Sequence, residues 1–309
     1  MAAGAELLKR YFLTEIQPLL FPGNSFMMRS MSDDAFVNNN SVELPHSGTI
    51  PAVQVDRAIL PAAIAKRTDA PTNYLLEELT TDPTLIGYSE GLTINYNKRA
   101  SILDQHAKSL NTKAATRCLQ KWASGANTAH KVASTGSARA AGNSNGAQTG
   151  NRKALTLADI VNVQNIFFKD DVQNELGDVN GVAVITPAMY ADLIKLSDFN
   201  QQQTYGAANI PSGVMRRAFG FDFYVRSLVT NLDVSDVLKA EGAAGAATDQ
   251  DAAVFYHPNF VRRAVGAIVP FIDEDKPEYY GSIFSMLVRF GAIQARNDSK
   301  GVVLLFEDN

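Results

Sequence analysis

The chain has 309 residues, 46% of them hydrophobic and 19% charged, an ordinary globular composition with length for about two domains. Its formal charge of −4 and pI near 5.6 exclude the broad basic footprint with which proteins neutralise many nucleic-acid phosphates. The one cysteine, Cys118, excludes an internal disulfide and a cysteine-built zinc site and fits a reducing cytosol, and no apolar run approaches the roughly 20 residues that cross a bilayer.

In chain order, the first element expected is a short helix with Leu7, Leu8, Phe12, Leu13 and Ile16 on one side, ended by Pro18 and Pro22. Charged residues interrupt it (Glu6, Lys9, Arg10, Glu15), so neither a signal peptide nor a membrane span is expected. The polar run Ser30 to Ser41 has too little apolar surface for a core of its own, so its order has to come from docking on a neighbour or on the rest of the chain. From Ser41 to Tyr74, Pro45, Pro51, Pro61 and Pro71 punctuate short extended pieces such as Ala52 to Asp56 and Ala58 to Leu60. Prolines confine such strands to sheet edges or to a protruding hairpin, and so long an excursion is usually functional or disordered.

Tyr74 to Leu79 and Leu85 to Tyr88 read as a strand or helix start, and the alternating run Leu92-Thr93-Ile94-Asn95-Tyr96 as a strand. A helix follows, with neither Pro nor Gly between Asn97 and Ser124. It spans about 28 residues, close to 40 Å at 1.5 Å per residue. Its apolar stripe is Leu103, Ala107, Leu110, Ala114, Cys118 and Trp122, with Lys98, Asp104, Lys108, Lys113 and Lys121 mostly on the other surface. Ala126 to Gly150, rich in small and polar residues, reads as a flexible loop. Thr156 and Asp159 then form a near capping box for a helix carrying Leu157, Ile160, Val161, Phe167 and Phe168. Gly181 to Ile185 is an apolar strand, and Thr186-Pro187 starts another helix as N-cap and first helical residue. A loop from Asn200 to Gly213 leads to the strand Gly220 to Val225; a second small-residue patch, Gly242 to Thr248, precedes strands at Ala253 to Tyr256, Tyr279 to Arg289 and Val302 to Phe306.

Residues that carry chemistry are sparse. His46, His106, His130 and His257 form no metal-ligand spacing, and His106 lies two residues from Asp104, on a different helix face. Neither phosphate-cradling glycine spacing occurs, and Cys118 reads as a small buried residue whose nearby Lys113, Arg117 and Lys121 face water. The acidic runs Asp33-Asp34, Asp170-Asp171 and Asp273-Glu274-Asp275 lack calcium-loop spacing and read as solvated turns. No catalytic, cofactor-binding or metal-ligating residue is assigned, which shifts weight from chemistry toward architecture.

The order of parts has a counterpart. Glu90 to Arg99 entering the long helix, Ile185-Thr186-Pro187-Ala188-Met189-Tyr190-Ala191-Asp192-Leu193, and Gly220-Phe221-Asp222-Phe223-Tyr224-Val225-Arg226-Ser227 together resemble the major capsid proteins of tailed bacteriophages with the Hong Kong 97-type fold. The likeness runs from about Ser41 to Phe306 and rests on pattern, not on invariant chemistry. It implies an α+β fold with an N-terminal arm (1–40) and an extended E-loop (41–75) laid over a neighbouring subunit. A peripheral domain (76–125 and 266–296) would carry the spine helix, about 96–124, and an axial domain (126–265 and 297–309) would hold a flexible insertion at 126–154.

By the same resemblance the chain is expected to be no enzyme and to use no cofactor. Its partner would be itself, as hexamers and pentamers of an icosahedral shell around double-stranded DNA, assembled in the host cytoplasm and resident in the virion. Scaffolding, portal and decoration proteins would be further partners, with neither a membrane nor sequence-specific DNA contact. Candidate intersubunit residues are Asp56, Arg57, Lys66 and Arg67 on the loop, and Arg262, Arg263, Asp273, Glu274 and Asp275 further on; their plain reading is solvation. The Lys–Asn cross-link of some members of the family is not carried over to this chain. An encapsulin-like compartment shell, or a soluble α/β enzyme with an unrecognised site, are the alternatives.

Overall fold

A computed structural model describes residues 25–38, 40–46, 70–87, 98–172, 180–195, 217–296 and 298–309, together with positions 53, 55, 56 and 64. The expected N-terminal helix, the strands Ala58 to Leu60 and Leu92 to Tyr96, and the loop Asn200 to Gly213 lie outside these residues.

The chain starts with β1 (Met31–Ser32), β2 (Val37–Asn38), β3 (Ser41–His46), β4 (Ala70–Leu75), β5 (Glu77–Thr80) and β6 (Thr84–Gly87), then the helix α1 (Lys98–Ala123). Next come β7 (Lys131–Ala133), β8 (Ala138–Ala140), β9 (Asn151–Lys153), α2 (Leu157–Lys169), β10 (Gly181–Ile185) and α3 (Pro187–Lys195). The remainder is strand: β11 (Arg217–Ala218), β12 (Phe221–Val225), β13 (Thr230–Leu232), β14 (Gln250–Tyr256), β15 (Val261–Lys276), β16 (Gly281–Gln294) and β17 (Val302–Phe306).

Two sheets organise these elements. One has the order β1-β15-β16-β5, with β6 also on β16, and is dominated by the antiparallel β15/β16 hairpin, paired from Val261↔Gln294 to Lys276↔Gly281. Pro270 is tolerated in β15 because β1 pairs with Arg262 and Arg263 and, among the described residues, no strand flanks β15 at Pro270 on the side away from β16. The other sheet has the order β11-β12-β10-β14-β17-β7, with β13 on β14. Its central strands are buried on both faces, which is why they read as continuous apolar runs. Val182, Val184, Val254 and Leu304 face one core; Ala183, Ile185, Phe255 and Leu305 face the other, under α2 and α3.

The helix α1 ties the two sheets together. Leu103 and Leu110 in its first half pack on Phe284, Met286 and Val288 of β16. In its second half, Ala114, Ala115, Cys118, Leu119, Trp122 and Ala123 enter the core beneath β10, β14 and β17. The whole stripe expected from Leu103 to Trp122 is buried, and Asp104 pairs with Lys108 at 2.6 Å on the solvent side. Arg117, expected to face water, instead donates to Glu77 at 2.8 and 2.5 Å and to Glu241 at 3.3 Å, fastening the helix to β5. The capping box at the start of α2 is complete: Thr156 and Asp159 each accept from the other's backbone N–H.

Two expectations need correction. Residues 126–154 are folded: β7 adds in parallel to β17, β8 pairs with β9, and Ser144 and Gln148 donate to buried Asp251 at 2.5 and 2.6 Å. Side-chain hydrogen bonds supply this order, and composition does not reveal them. The boundary placed between 265 and 266 falls inside β15, so 261–265 pairs within the first sheet; only a register shift between Val265 and Ile268 marks the place.

Candidate functional site: a protruding hairpin and its anchorage

Strands β3 and β4 pair in register from Ser41↔Leu75 to His46↔Ala70, and Asn40 O accepts from Leu76 N–H at 2.9 Å, closing the base. Beyond it, Val53 is 91%, Val55 87% and Ile64 99% exposed. Burying each such side chain is worth about 1.5–3 kcal/mol, so three left in water on one segment are an unusual exposure for apolar residues. A second apolar group sits at the far end of the β15/β16 hairpin, where Phe271 and Tyr279 are exposed and Tyr280 is 81% exposed.

The base of the first hairpin is held in two ways. Val42, Tyr74 and Leu76 pack on Ala264, with Val37 and Ile293 alongside. Asp33, only 1% exposed, accepts from Arg262 Nη1 at 2.7 Å and from the Tyr74 hydroxyl at 3.0 Å. Burial, followed by the charge of Asp33, pushes the Tyr74 hydroxyl well above its usual value, so it stays a donor. The polar run 30–41 therefore gains its order by docking, as its composition required. Arg263 Nε donates to Met27 O at 2.9 Å, Val265 N–H to Asp34 at 2.7 Å, and Phe26 and Met27 enter the main core. Asp222, held below the usual carboxylate range mainly by its hydrogen bond from Arg217, also accepts from Arg29 at 3.1 Å.

The residues singled out in sequence thus separate. Arg262 and Arg263 are engaged within the chain, on the N-terminal segment. Asp273 is exposed and pairs with Lys276 at 2.9 Å near the end of β15, where Glu274 also lies; the side chain of Asp275 is outside the described residues. Asp56 adopts a positive φ of 47°, and Arg57, Lys66 and Arg67 are outside the described residues. Sequence reasoning missed Tyr74 and read Asp33 as a solvated turn, because the signal is a contact across 41 residues.

Groups with chemical potential are occupied structurally. Both ring nitrogens of His106 meet threonine hydroxyls, Thr81 at 2.8 Å and Thr84 at 3.0 Å, and burial lowers its pKa. His130 is bound between Asn127 and Asp170 at 2.6 and 2.7 Å, and burial pushes the Cys118 thiol up. Among the described residues no group of three or more His, Cys, Asp or Glu is placed to hold a metal ion, and no helix is long and apolar enough to cross a membrane.

No protein-family model and no curated protein matches the chain. Solved structures do. The capsid of the cyanophage P-SCSP1u is 13% identical, with 91% of this chain and 87% of that one covered at a TM-score of 0.64. The mature capsid of bacteriophage PhiM1 is 14% identical over 93% of this chain and 86% of that one, TM-score 0.60. A virus-like particle from Pyrococcus furiosus is 13% identical over 97% and 98%, TM-score 0.50. The chain therefore has the fold of these shell subunits, the α+β architecture of the Hong Kong 97 type.

Proposed function

We propose that this chain is a major capsid protein that self-assembles into the icosahedral shell enclosing a phage double-stranded DNA genome. The observation that carries this reading is the Ser41–Leu75 hairpin, anchored at its base with Val53, Val55 and Ile64 in solvent on a fold found in shells. A closed shell needs heterologous contacts, in which a protrusion of one copy meets a different surface of the next. An anchored hairpin with an apolar outer part supplies that protrusion while leaving the core of each copy intact.

In this reading residues 1–40 form the arm, 41–75 the loop that reaches a neighbour, the α1 and β15/β16 unit the peripheral domain, and the sheet centred on β10, β14 and β17 the axial domain. The chain acts as a structural and not a catalytic protein, resides in the virion, and meets scaffolding, portal and decoration proteins as assembly requires. The Asp273–Lys276 end of β15 and the loop residues Asp56, Arg57, Lys66 and Arg67 are candidate contacts between copies.

Electron microscopy of the purified chain tests this. Rings, tubes or polyhedra are expected, and the triple variant Val53→Lys, Val55→Lys, Ile64→Lys should keep its circular dichroism yet stay small. Surface changes of this kind alter stability by no more than about 0.5 kcal/mol, so loss of particles reports contact and not folding. Small globular oligomers from the unmodified chain at high concentration would overturn the proposal, and particles filled with protein cargo in place of DNA would point to a compartment shell.

A further inference from the structure

We propose that Asp33 is a positioning residue that fixes the direction in which the Ser41–Leu75 hairpin leaves the body of the protein; this rests on the shell reading above. Three separate elements meet at its carboxylate. Asp33 belongs to the N-terminal segment, Tyr74 to the hairpin strand β4, and Arg262 to the sheet strand β15, and the carboxylate accepts from the last two at 3.0 and 2.7 Å. Its own backbone N–H donates to Arg263 O at 2.8 Å, and Asp34 accepts from Val265 N–H at 2.7 Å, so the carboxylate cannot drift relative to β15.

The apolar contacts at the base do a different job. Val42, Tyr74, Leu76 and Ala264 adhere, but apolar burial is non-directional and tolerates sliding and rotation. A hydrogen bond weakens steeply once bent or stretched. The Tyr74 hydroxyl is thus the point at which the hairpin's angle is defined, and the Arg262 guanidinium, 2.7 Å from the other carboxylate oxygen, is what keeps Asp33 aimed at it. The lever is long: β3 alone, Ser41–His46, runs roughly 20 Å at about 3.3 Å per residue. The hydroxyl stands only about 6–7 Å from its own backbone, so a slip of about 1 Å there becomes about 3 Å at the end of β3. Contacts that close a shell do not absorb such a change.

The test uses nitroxide spin labels at Val55→Cys and, on α2, Asn165→Cys, in the full chain; native Cys118 is fully buried and stays unlabelled. Tyr74→Phe removes one hydroxyl and keeps the packing, and Asp33→Asn removes the charge. Electron–electron resonance on the dispersed protein should give one narrow distance distribution with the native residues and at least a doubling of its width in either variant. The unlabelled variants should form particles scattered in diameter where the parent forms uniform ones. Equal widths in all three proteins would overturn the inference whether or not particles form. Broadened widths with uniform particles would overturn it too, because the angle would then not matter to assembly. Broadened widths from a parent that itself builds no shell would sink the shell reading and leave the lock standing, so the two failures are distinguishable.

Discussion

Trp122 is the side chain on which both sheets and the N-terminal segment converge, and its removal has a calculable consequence. The residue is fully buried and the only tryptophan in the chain. Its ring lies 4.7 Å from that of Tyr256 on β14 and 6.5 Å, edge-on, from Phe26, and its indole N–H donates to Arg262 O at 3.1 Å. Truncating a buried tryptophan to alanine costs about 3–5 kcal/mol through lost transfer energy and the cavity left behind. The lost indole donor adds about 1 kcal/mol. The sum, about 4–6 kcal/mol, is a large part of the roughly 5–15 kcal/mol that holds a domain folded. At about 1.4 kcal/mol per decade the folded-to-unfolded ratio falls some thousand-fold or more. Trp122→Phe, which keeps one ring and loses the donor, should cost about 1–3 kcal/mol. Urea titration followed by far-ultraviolet circular dichroism reads both, and in the parent protein the tryptophan emission should change over the same denaturant range. A loss under about 1 kcal/mol for Trp122→Ala, or a transition in which half the dichroism persists, would refute the idea that α1 and Trp122 join the sheets into one cooperative body.

The two carboxylates with opposed surroundings predict opposite pH limbs. Asp222 is depressed below its ordinary 3.8 by Arg217, so its contribution is present above that value and is lost as pH falls through the lower folded one; Asp222→Asn should abolish that part of the acid sensitivity of the urea midpoint. Glu307 is raised above 4.5, first by burial and further by Asp251, with Arg139 opposing, so its contribution is full below that value and lost as pH climbs through the folded one. The difference between the midpoints of the parent and Glu307→Gln should therefore change as the pH rises above 4.5. Gly281→Ala would drive a Cβ into the backbone of Ile86 and Gly87 on β6, which no rotamer relieves, and should cost about 1–3 kcal/mol. Gly266→Ala meets the movable end of Leu76 at 2.9 Å and should cost less, a contrast that thermal denaturation measures directly.

What was legible beforehand was local. The α1 stripe, the Thr156 capping box, Thr186-Pro187 at the start of α3 and the strand Val302–Phe306 each follow from a spacing of four residues or fewer, so a short window contains their cause. What was not legible is non-local. The strands between 131 and 153 carry no apolar period; they exist because β17 offers an edge to β7 and because Asp251 collects donors from Ser144, Gln148 and Asn231, up to 107 residues away. The Asp33, Tyr74 and Arg262 cluster links positions separated by 41 and 229 residues, and in sequence each looks like a solvated or merely aromatic residue.

That division has a physical reason. Local patterning decides whether a helix or strand forms, since its hydrogen bonds are short-range and cooperative. The angle at which one element leaves another is decided where directional side-chain bonds span them, and such bonds need partners from separate parts of the chain. A catalytic site announces itself by residue types of unusual reactivity, but an assembling subunit uses common residues in unusual places: an exposed isoleucine on a hairpin, or an aspartate at 1% exposure. The informative quantity is therefore exposure against type, an apolar side chain left in water or a charge taken out of it, and both occur along the one hairpin and at its root.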